Sequence, residues 1–454
     1  MDHIIRAIVA SGGEPFEVGG CVRDRLLGTP GKDIDIEVFR LDAGQLAAIL
    51  EPFGRVDTVG VSFGVIKLKT HEGIEFDFTL PRRENKTGSG HRGFTVEVDH
   101  TMTIADAAAR RDFTINAIYR CPLRDQISDP HGGADDLRAG VLRATSRHFA
   151  EDPLRVLRGM QFAARFQLTV EAGTAQMCSS LRSEASTLAV ERIWSEWHKW
   201  ATRGVHPSAG LQFLQQADWL SLYPELAALV EVPQDPAWHP EGDVWIHTLL
   251  VCDMAAEIAR REELDAEERT ILMFAALCHD LGKATTTEFK DGRWRAHGHP
   301  EAGVPLTRTF LERIGCPKHI IEVVEPLVAE HLVHAAETMT ARTARRLARR
   351  LGKATIQQLL WLIEADLRGR PPLPGDLPAS VLKLRELATS ENIVTSQVQP
   401  LIQGRHMIAQ GYEPGNWFGP ILKNCYEAQL DGVFEDEASG IAWLVAHMQE
   451  HPVE

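Results

Sequence analysis

The chain has 454 residues, of which 44% are apolar and 24% are charged, and its formal net charge is −15. Because single hydrophobic cores stop growing at roughly 250–300 residues, this length predicts two or more domains of an ordinary globular protein. The acidic balance argues against non-specific nucleic-acid binding over the whole surface, although it is compatible with a local basic groove.

The cysteines and the hydropathy pattern bear on the compartment. Seven cysteines occur, and none belongs to a C-x-x-C pair. An odd number of unpaired thiols favours a reducing compartment over a disulfide framework. The N-terminal segment has no basic stretch followed by a long apolar one, and no run approaches the ~18 apolar residues of a membrane span. We therefore predict a cytoplasmic protein with no signal peptide and no membrane contact.

The N-terminal part of the chain mixes strand and helix patterns. Apolar runs and apolar–polar alternation predict strands at residues 16–18, 34–38, 65–69 and 74–80. A turn at His71-Glu72-Gly73 would join the last two. The polar, glycine-rich stretch Glu84–Gly93 predicts a mobile loop.

Beyond about Asp135 the pattern becomes helical. Asp152 can cap a helix that runs through Phe162. Tryptophans recur at helical spacing, which is typical of core packing: Trp194, Trp197 and Trp200. Proline-rich segments at 233–240 and 370–378 predict a linker and a second break.

The first group of chemically informative residues is the turn Gly19-Gly20, which follows a predicted strand and opens a predicted helix. Two glycines let the backbone approach a phosphate closely, and a helix N-terminus offers free N–H groups to an anion. Arg23 would add a charged fork for phosphate oxygens. Taken alone this is a weak signal, since Gly-Gly turns are common.

Acidic residues follow about ten positions later. Asp33 and Asp35 lie two apart on a strand, so both side chains point to the same face. Neighbouring carboxylates repel, and such a pair indicates a bound cation, for which Mg²⁺ is suited. The alternative is a solvated strand face. Asp77, on a neighbouring predicted strand, supplies a third acid, and three acids beside a Gly-Gly turn suit two-metal nucleotidyl transfer.

Arginines dominate the next two motifs. Arg110-Arg111-Asp112 precedes Asn116, a pattern that suits triphosphate and sugar recognition, although Asp112 could instead cap a helix. Downstream, a helical face carries an acid and two arginines at i, i+3 and i+6: Asp152, Arg155 and Arg158. Such a face can present an acceptor and a donor fork to a base edge. The alternative is a surface ladder of salt bridges.

In this order the motifs GG-x-VRD, D-x-D, RRD-x-T-x-N, DP-x-x-G-x-x-DL and EDP-x-R-x-x-R resemble the class II tRNA nucleotidyltransferases. That family includes the CCA-adding enzymes and bacterial poly(A) polymerases, and the resemblance spans residues 16–200. It implies Mg²⁺ at Asp33 and Asp35, with Asp77 as a third catalytic acid. The residues it implies for binding CTP or ATP are Gly20, Arg23, Arg111, Asp112, Asp152, Arg155 and Arg158.

Two further positions bear on this resemblance. Many family members carry a second arginine three residues after the position of Arg158, where this chain has Gln161. The neutral side chain puts one triphosphate or tRNA contact in doubt. Glu191-Arg192 matches the following family motif and is predicted to brace the helix that reads the base.

The second group is rich in histidine. The sequence Leu277–Lys283 (LCHDLGK) places His279 beside Asp280, and His247 lies about thirty residues upstream. Such mixed nitrogen and oxygen donors suit a divalent metal. Further histidines in the region are His297, His299 and His331.

This pattern resembles the HD superfamily of metal-dependent phosphohydrolases, with Asp366 as the last ligand of H…HD…D. Trp238-His239-Pro240 and His297-Gly298-His299 resemble the bacterial CCA-adding subgroup that carries an HD domain. The resemblance implies phosphatase and 2′,3′-cyclic phosphodiesterase activity with Ni²⁺, Mn²⁺ or Mg²⁺. The alternative is a vestigial HD domain that acts only as a tRNA-binding arm.

Together these patterns predict an α+β nucleotidyltransferase head, with a small sheet and helices, followed by an all-α neck, HD body and tail. The predicted boundaries are 1–148, 149–235, 236–370 and 371–454. The predicted function is template-independent addition of CCA to tRNA from CTP and ATP, with an added HD hydrolase activity. Alternatives are a poly(A) polymerase or an A-only or C-only variant of the same fold, and a non-catalytic tRNA-binding or signalling protein. The basic segment Thr343–Leu351 is interpreted either as a solvated face or as a phosphate track for tRNA.

Overall fold

The computed structural model describes residues 1–29, 31, 34–57, 64–86, 94–335 and 338–451. The chain divides into two compact units, Met1–Tyr223 and Pro224–Glu454. Among the described residues, no helix has the length and apolar character needed to cross a lipid bilayer. None of the seven cysteines forms a disulfide.

The first unit is built around a seven-stranded sheet in the order β3-β4-β5-β2-β1-β8-β9. Its strands and the short pairs beside it are β1 Glu14–Val18, β2 Asp35–Phe39, β3 Gly54–Asp57, β4 Val65–Thr70, β5 Glu75–Thr79, β6 Arg82–Lys86, β7 Phe94–Val98, β8 Tyr119–Cys121, β9 Gln126–Ser128, β10 Val141–Leu142 and β11 Thr169–Val170. Within the sheet, β2 and β5 run parallel and the other pairs are antiparallel. The predicted strands are confirmed.

The loop predicted at Glu84–Gly93 is wrong in its first part. Residues 84–86 belong to β6, which pairs with β7 through a register that couples Arg82 to Val98. Residues 87–93 lie outside the described residues. The polar composition suggested a loop, but a two-stranded ribbon tolerates polar side chains because its backbone groups bond across the pair.

The helices of the first unit are α1 Asp2–Ala10, α2 Gly20–Leu26, α3 Ala43–Leu50, α4 Ile104–Ala109, α5 Gly133–Ala139, α6 Leu154–Phe166, α7 Ala172–Ser180, α8 Val190–Arg203 and α9 Pro207–Gln216. In α1, Ile4, Ile5 and Ile8 form one apolar face and are buried against the sheet, in a core that includes Ile36 and Phe78. This spacing is typical of an amphipathic helix on a sheet.

Helix α6 packs against α8 and α9. Trp197 and Trp200 are fully buried there, as predicted, whereas Trp194 is half-buried. Trp197 donates from Nε1 to the Tyr223 hydroxyl at 3.1 Å. A Cβ at Gly210 would lie 2.5 Å from the Met160 carbonyl oxygen, so α9 can approach α6 this closely only with glycine at that position.

Within its described residues the second unit is helical apart from one hairpin, which the all-α prediction missed. Its elements are α10 Pro224–Ala227, α11 Val244–Arg261, α12 Ala266–Cys278, α13 Lys283–Thr286, β12 Glu288–Lys290, β13 Arg293–Arg295, α14 His299–Arg313, α15 Lys318–Glu330, α16 Ala341–Leu351, α17 Ile356–Arg368, α18 Ala379–Ser390, α19 Gly404–Ala409, α20 Phe418–Leu430 and α21 Glu437–Glu450. With the sheet of the first unit, this composition confirms the predicted fold class.

The arginines of the basic helix α16 take part in ion pairs, which neither interpretation of this segment anticipated. Its arginines pair with carboxylates of the same unit: Arg342 and Arg346 with Asp431, Arg345 with Glu391, Arg349 with Glu427, and Arg350 with Glu330. The carboxylates belong to other parts of the chain. The sequence of the segment by itself therefore shows an excess of positive charge.

Candidate functional site

The acidic edge of the sheet lies where β2 and β5 run side by side. Asp35 is the register partner of Asp77 in this parallel pair, as their placement on neighbouring strands predicted. Asp77 also accepts from Lys67 Nζ at 3.2 Å. Asp33 lies outside the described residues, so the described acids of this edge are Asp35, Asp77 and, two residues along β2, Glu37. Adjacent carboxylates at a strand end are suited to Mg²⁺.

The turn after β1 brings an arginine to this edge. Gly19 has φ +78°, and a Cβ there would lie 3.1 Å from a guanidinium nitrogen of Arg111 and 4.0 Å from Asp35 Oδ2. Arg111 donates to Glu37 Oε2 at 3.1 Å, and the Tyr119 hydroxyl donates to the same oxygen at 2.7 Å. Burial acts to lower the pKa of Arg111, but Tyr119 and Glu37 outweigh it and raise that pKa above its ordinary value. Arg111 is therefore a fixed cation beside Asp35.

Arg23 occupies a different environment from the one its motif suggested. It is only 3% exposed, donates to Asp24 Oδ1 at 2.7 Å and to Asn116 Oδ1 at 2.5 Å, and stacks over Phe166 with 4.4 Å to the ring centroid. Gly20 opens α2 directly before it. Arg23 thus joins α2 to the RRD-x-T-x-N segment and to α6, and it does not line the cavity described below.

The buried carboxylate of Asp112 forms an ion pair with the partly exposed guanidinium of Arg158. Asp112 Oδ2 accepts from Arg158 Nε at 2.8 Å, while Oδ1 accepts from the Phe113 amide and from Asn116 Nδ2. Burial acts to raise the pKa of the Asp112 carboxyl, but the charges of Arg158 and Arg155 outweigh it and lower the pKa to about 2. The carboxylate therefore stays ionised and fixes the guanidinium.

Asp152 and Arg155 are held just as firmly. The N-cap position of α6 is Pro153, one residue beyond the predicted cap Asp152. Asp152 Oδ1 still accepts from the Leu154 amide at 3.0 Å, and Oδ2 accepts from Arg192 at 2.9 Å. This contact is the helix brace expected of Arg192. Arg155 donates to the main-chain carbonyls of His148 and Arg110, at 2.6 and 2.9 Å. Asp152 and Arg155 are thus held in a network of hydrogen bonds and do not form an isolated row of surface salt bridges.

These side chains line one cavity of about 430 Å³ in the first unit. Its polar lining consists of Asp35, Glu37, Thr79, Arg82, Arg110, Arg111, Asp112, Asp152, Arg155, Arg158 and Arg192. Six arginines against four acids give it the local positive field that the net charge of the chain conceals, and such a field suits a triphosphate. Gln161 is 4% exposed within α6 and is not part of the lining.

The second unit gathers the predicted HD residues at one buried point. His247 Nε2 lies 3.2 Å from Asp366 Oδ1 and 3.6 Å from Asp280 Oδ2, and His279 Nε2 lies 3.2 Å from Asp280 Oδ2. All of these side chains are at most 8% exposed. His247 comes from α11, the His279-Asp280 pair follows α12 and Asp366 lies on α17, so helix packing alone brings them together.

The main chain sets the tautomer of three histidines. His279, His299 and His331 each place Nδ1 2.7–2.8 Å from the carbonyl oxygen three residues earlier. A carbonyl only accepts, so Nδ1 carries the proton and Nε2 has a lone pair. Burial lowers the pKa of His331 to about 3, which keeps that ring neutral near pH 7.

Ring nitrogens of the four histidines therefore converge in two pairs. Nε2 of His279 is 3.3 Å from Nε2 of His247, and Nε2 of His299 is 3.2 Å from Nε2 of His331. The two oxygens of Asp280 are buried and have no well-directed hydrogen bond from any described residue, although Lys283 Nζ is 2.7 Å from Oδ2. Such a centre fits a divalent cation, because imidazole nitrogens and carboxylate oxygens that face one another are suitable ligands for a metal ion.

The donors form two groups that share Asp280: His247, His279 and Asp280, and Asp280, His299 and His331. Asp280 Oδ2 faces the first pair of histidines and Oδ1 lies 3.2 Å from His299 Nε2. The sequence motif predicted the first group but not the second. His297 is exposed, so of the His-x-His pair only His299 belongs to the centre.

A layer of supporting residues surrounds these ligands; the sequence motifs contain His239 and Lys283 but did not predict this role. Glu241 Oε1 lies 2.8 Å from Nδ1 of both His247 and His239. Lys283 Nζ donates to Gln234 Oε1 at 2.8 Å. Gln234 and His239 belong to the segment predicted as a linker, which instead lines the cavity over the centre.

Comparisons with known proteins identify both regions of the chain. A family model for the poly A polymerase head domain matches residues 16–143, and a model for the HD domain matches residues 244–360. Relatives named "Multifunctional CCA protein" include one from Xylella fastidiosa (strain 9a5c), 39% identical over 368 residues, covering 78% of this chain and 84% of the relative. Another, from Nitrosococcus oceani, is 36% identical over 370 residues, covering 79% and 86%.

Solved structures share the fold at low sequence identity. The Bacillus stearothermophilus CCA-adding enzyme in complex with CTP matches with a TM-score of 0.65 and 21% identity, over 99% of this chain and 96% of that one. The Thermotoga maritima CCA-adding enzyme complexed with tRNA matches with a TM-score of 0.61 and 17% identity, over 98% and 94%. From its head model, its HD model and its curated relatives, this chain belongs to the class II CCA-adding tRNA nucleotidyltransferases that carry an HD domain.

Proposed function

We propose that the first unit adds CCA to the 3′ end of tRNA from CTP and ATP without a nucleic-acid template. The observation that carries the proposal is the arginine-rich cavity, which is lined by Asp35, the register partner of Asp77, and also by Asp152 and Arg155. The names of the relatives, and structures of the same fold solved with CTP and with tRNA, support the same reaction.

In this reaction the tRNA 3′-hydroxyl attacks the α-phosphate of the nucleotide, and pyrophosphate leaves. Arg111 and Arg158, each fixed by a buried carboxylate, hold and neutralise the triphosphate. Asp152 and Arg155 face the base, and their rigid bonding limits which base edges they accept. Asp33, Asp35 and Asp77 would hold two Mg²⁺ ions, which when bound stabilise charge on the phosphoryl group.

The acidic edge can be tested with two matched substitutions, one on β2 and one on the neighbouring strand β5. Asp35→Asn is expected to reduce CMP incorporation into tRNA lacking CCA by about a thousandfold, because several kcal/mol of metal-derived stabilisation is lost. Glu75→Gln, on β5 two residues from Asp77 and paired with Lys69 at the surface, is the control and should retain activity. Unchanged incorporation by the Asp35 variant would disprove the assignment of this edge.

The second unit is proposed to be a metal-dependent phosphohydrolase that acts on phosphomonoesters and 2′,3′-cyclic phosphates. His247, His279, Asp280 and Asp366 would hold one divalent ion, Ni²⁺, Mn²⁺ or Mg²⁺, and Asp280 with His299 and His331 offers room for another. When bound, such ions supply Lewis-acid activation of a phosphate ester. Glu241 keeps His247 oriented, and the main-chain carbonyls keep the other imidazoles in their ligating tautomer.

Two histidines of the same segment test this proposal. His299→Ala is expected to lower the number of tightly bound Mn²⁺ ions per chain and to depress hydrolysis of 2′,3′-cyclic AMP. His297→Ala, exposed and outside the centre, should change neither. Normal CCA addition by both variants would show that both are folded. Equal metal content and equal hydrolysis in the two variants would contradict a role for His299.

A further inference from the structure

A lysine contacts the third acid of the acidic edge in the first unit. Lys67 Nζ lies 3.2 Å from Asp77 Oδ1 and 3.2 Å from Asp77 Oδ2, so one ammonium group engages both carboxylate oxygens. We propose that Lys67 is a positioning residue of the transferase site: it holds Asp77 until Mg²⁺ binds at the edge, and it thereby sets the Mg²⁺ concentration that the site requires. The inference rests on the proposed nucleotidyl transfer and deepens it.

The register of the sheet places Lys67 at this position. Strands β4 and β5 pair so that Lys67 lies opposite Asp77, and β5 and β2 pair so that Asp77 lies opposite Asp35. Ile66 and Leu68 flank Lys67 in β4 and are buried in the core, so alternation along the strand directs the lysine to the other face. The lysine and both acids therefore share one face of the sheet.

The ion pair between Lys67 and Asp77 is weak enough to be exchanged. The Lys67 side chain is 64% exposed and that of Asp77 is 43% exposed, and water screens charges in such positions. Exposed pairs of this kind contribute at most about fivefold to an equilibrium constant. A divalent cation carries twice the charge of an ammonium group and takes carboxylate oxygens as direct ligands, so Mg²⁺ at the edge would displace Lys67.

Another carboxylate lies on the opposite side of Lys67. Strands β3 and β4 pair so that Asp57 is the register partner of Lys67, one strand spacing of roughly 4.8 Å away. The four-carbon stem of a lysine is flexible, so its ammonium group can move between neighbouring acceptors. Lys67 therefore lies between an acid of the metal edge and an acid outside it, and Asp57 can accept the ammonium group when Asp77 is released.

Lys69 provides an internal comparison. It lies two residues along β4 on the same face, is 59% exposed, and pairs with Glu75 at 2.8 Å. It thus matches Lys67 in charge, exposure and type of contact. The register of β5 with β2 begins at Asp77 and does not include Glu75. A general effect of surface charge on metal binding would be equal for the two lysines, whereas the proposal assigns the effect to Lys67 alone.

The test measures the Mn²⁺ affinity of the full chain by calorimetry. All proteins carry Asp280→Ala, which removes the ligand shared by the two metal groups of the HD centre. We expect Lys67→Gln to bind Mn²⁺ about two- to fivefold more tightly than this parent, because the competing cation is gone. Lys69→Gln should bind as the parent does, and Lys67→Arg, which keeps the charge, should bind no more tightly. In a protein that carries Asp77→Asn, Lys67→Gln should have no effect.

A second measurement keeps the HD centre intact and follows the transfer reaction. The Mg²⁺ concentration that gives half-maximal CMP incorporation into tRNA lacking CCA should fall by the same factor in Lys67→Gln, but not in Lys69→Gln. Unchanged Mn²⁺ affinity in Lys67→Gln, or equal effects of the two glutamine substitutions, would overturn the role of Lys67. If the Mn²⁺ affinity shifts as expected but the wild type adds no nucleotide, the transferase proposal fails and the control of metal binding by Lys67 stands.

Discussion

Replacing Asp112 with asparagine should destabilise the region around α6 by an amount that the structure specifies. The carboxylate is 7% exposed, bonded to Arg158, Asn116 and the Phe113 amide, and its pKa is lowered from 3.8 to about 2. That difference corresponds to roughly 2 kcal/mol of stability near pH 7, or about thirtyfold in an opening equilibrium. Asparagine has the same shape as aspartate, but it would direct an N–H donor toward the Arg158 guanidinium.

Hydrogen exchange measured by mass spectrometry can localise this loss. At pH 7 the amides of α6 in Asp112→Asn should exchange about thirtyfold faster than in the wild type. Asp135→Asn is the matched control, because its i, i+3 partner Arg138 is 76% exposed and such pairs contribute little. Identical exchange in the two variants would refute the reasoning.

The pH dependence has a definite sign. The folded pKa is depressed, so the stabilisation by Asp112 is fully present above the unfolded pKa of 3.8 and is lost as pH falls through about 2. The difference between wild type and Asp112→Asn should therefore be constant between pH 7 and pH 5 and should shrink toward pH 2. A difference that grows on acidification would mean that Asp112 is not the ionised partner of Arg158.

Other predictions concern the second unit. Gly282→Ala would place a Cβ 2.0 Å from the His299 carbonyl oxygen, so α14 must shift. We therefore expect Mn²⁺ binding, measured by calorimetry, to weaken at least tenfold. The control variant Gly419→Ala has open space around the new Cβ and should bind Mn²⁺ normally. Glu241→Gln removes the anion that orients His247 and should weaken Mn²⁺ binding roughly ten- to a hundredfold in the same assay, with unchanged affinity counting against a positioning role. Arg346→Gln breaks the pairs with Asp431 and Glu427 and should lower the melting temperature while leaving the salt dependence of tRNA binding unaltered; a shallower salt slope would restore the phosphate-track interpretation.

The sequence was informative wherever function depends on local spacing. Alternation of apolar and acidic residues predicted the strand β2 with Asp35 and Glu37 on one face, and Asp77 lies beside Asp35 on the neighbouring strand β5, as predicted. The helical spacing of Trp197 and Trp200 likewise predicted their burial. In each case the relevant geometry lies within one element or between adjacent strands.

Contacts made by tertiary packing were harder to foresee. His299 and His331 approach Asp280 because α14 and α15 pack together, and no spacing in the chain encodes that approach. Arg23 next to two glycines resembles a phosphate ligand, yet Asn116 and Phe166, more than ninety positions away, bury it. The arginines of α16 show the same effect, since their acidic partners come from other helices.

CCA addition is most directly tested by the product made on a tRNA that lacks its 3′ CCA. With purified protein and Mg²⁺, we expect that CTP alone adds two cytidines, ATP alone adds nothing, and both together complete CCA and stop. A single adenosine, cytidines only, or a long adenosine tail would contradict CCA addition and move the function to an A-only, C-only or poly(A) activity of the same fold.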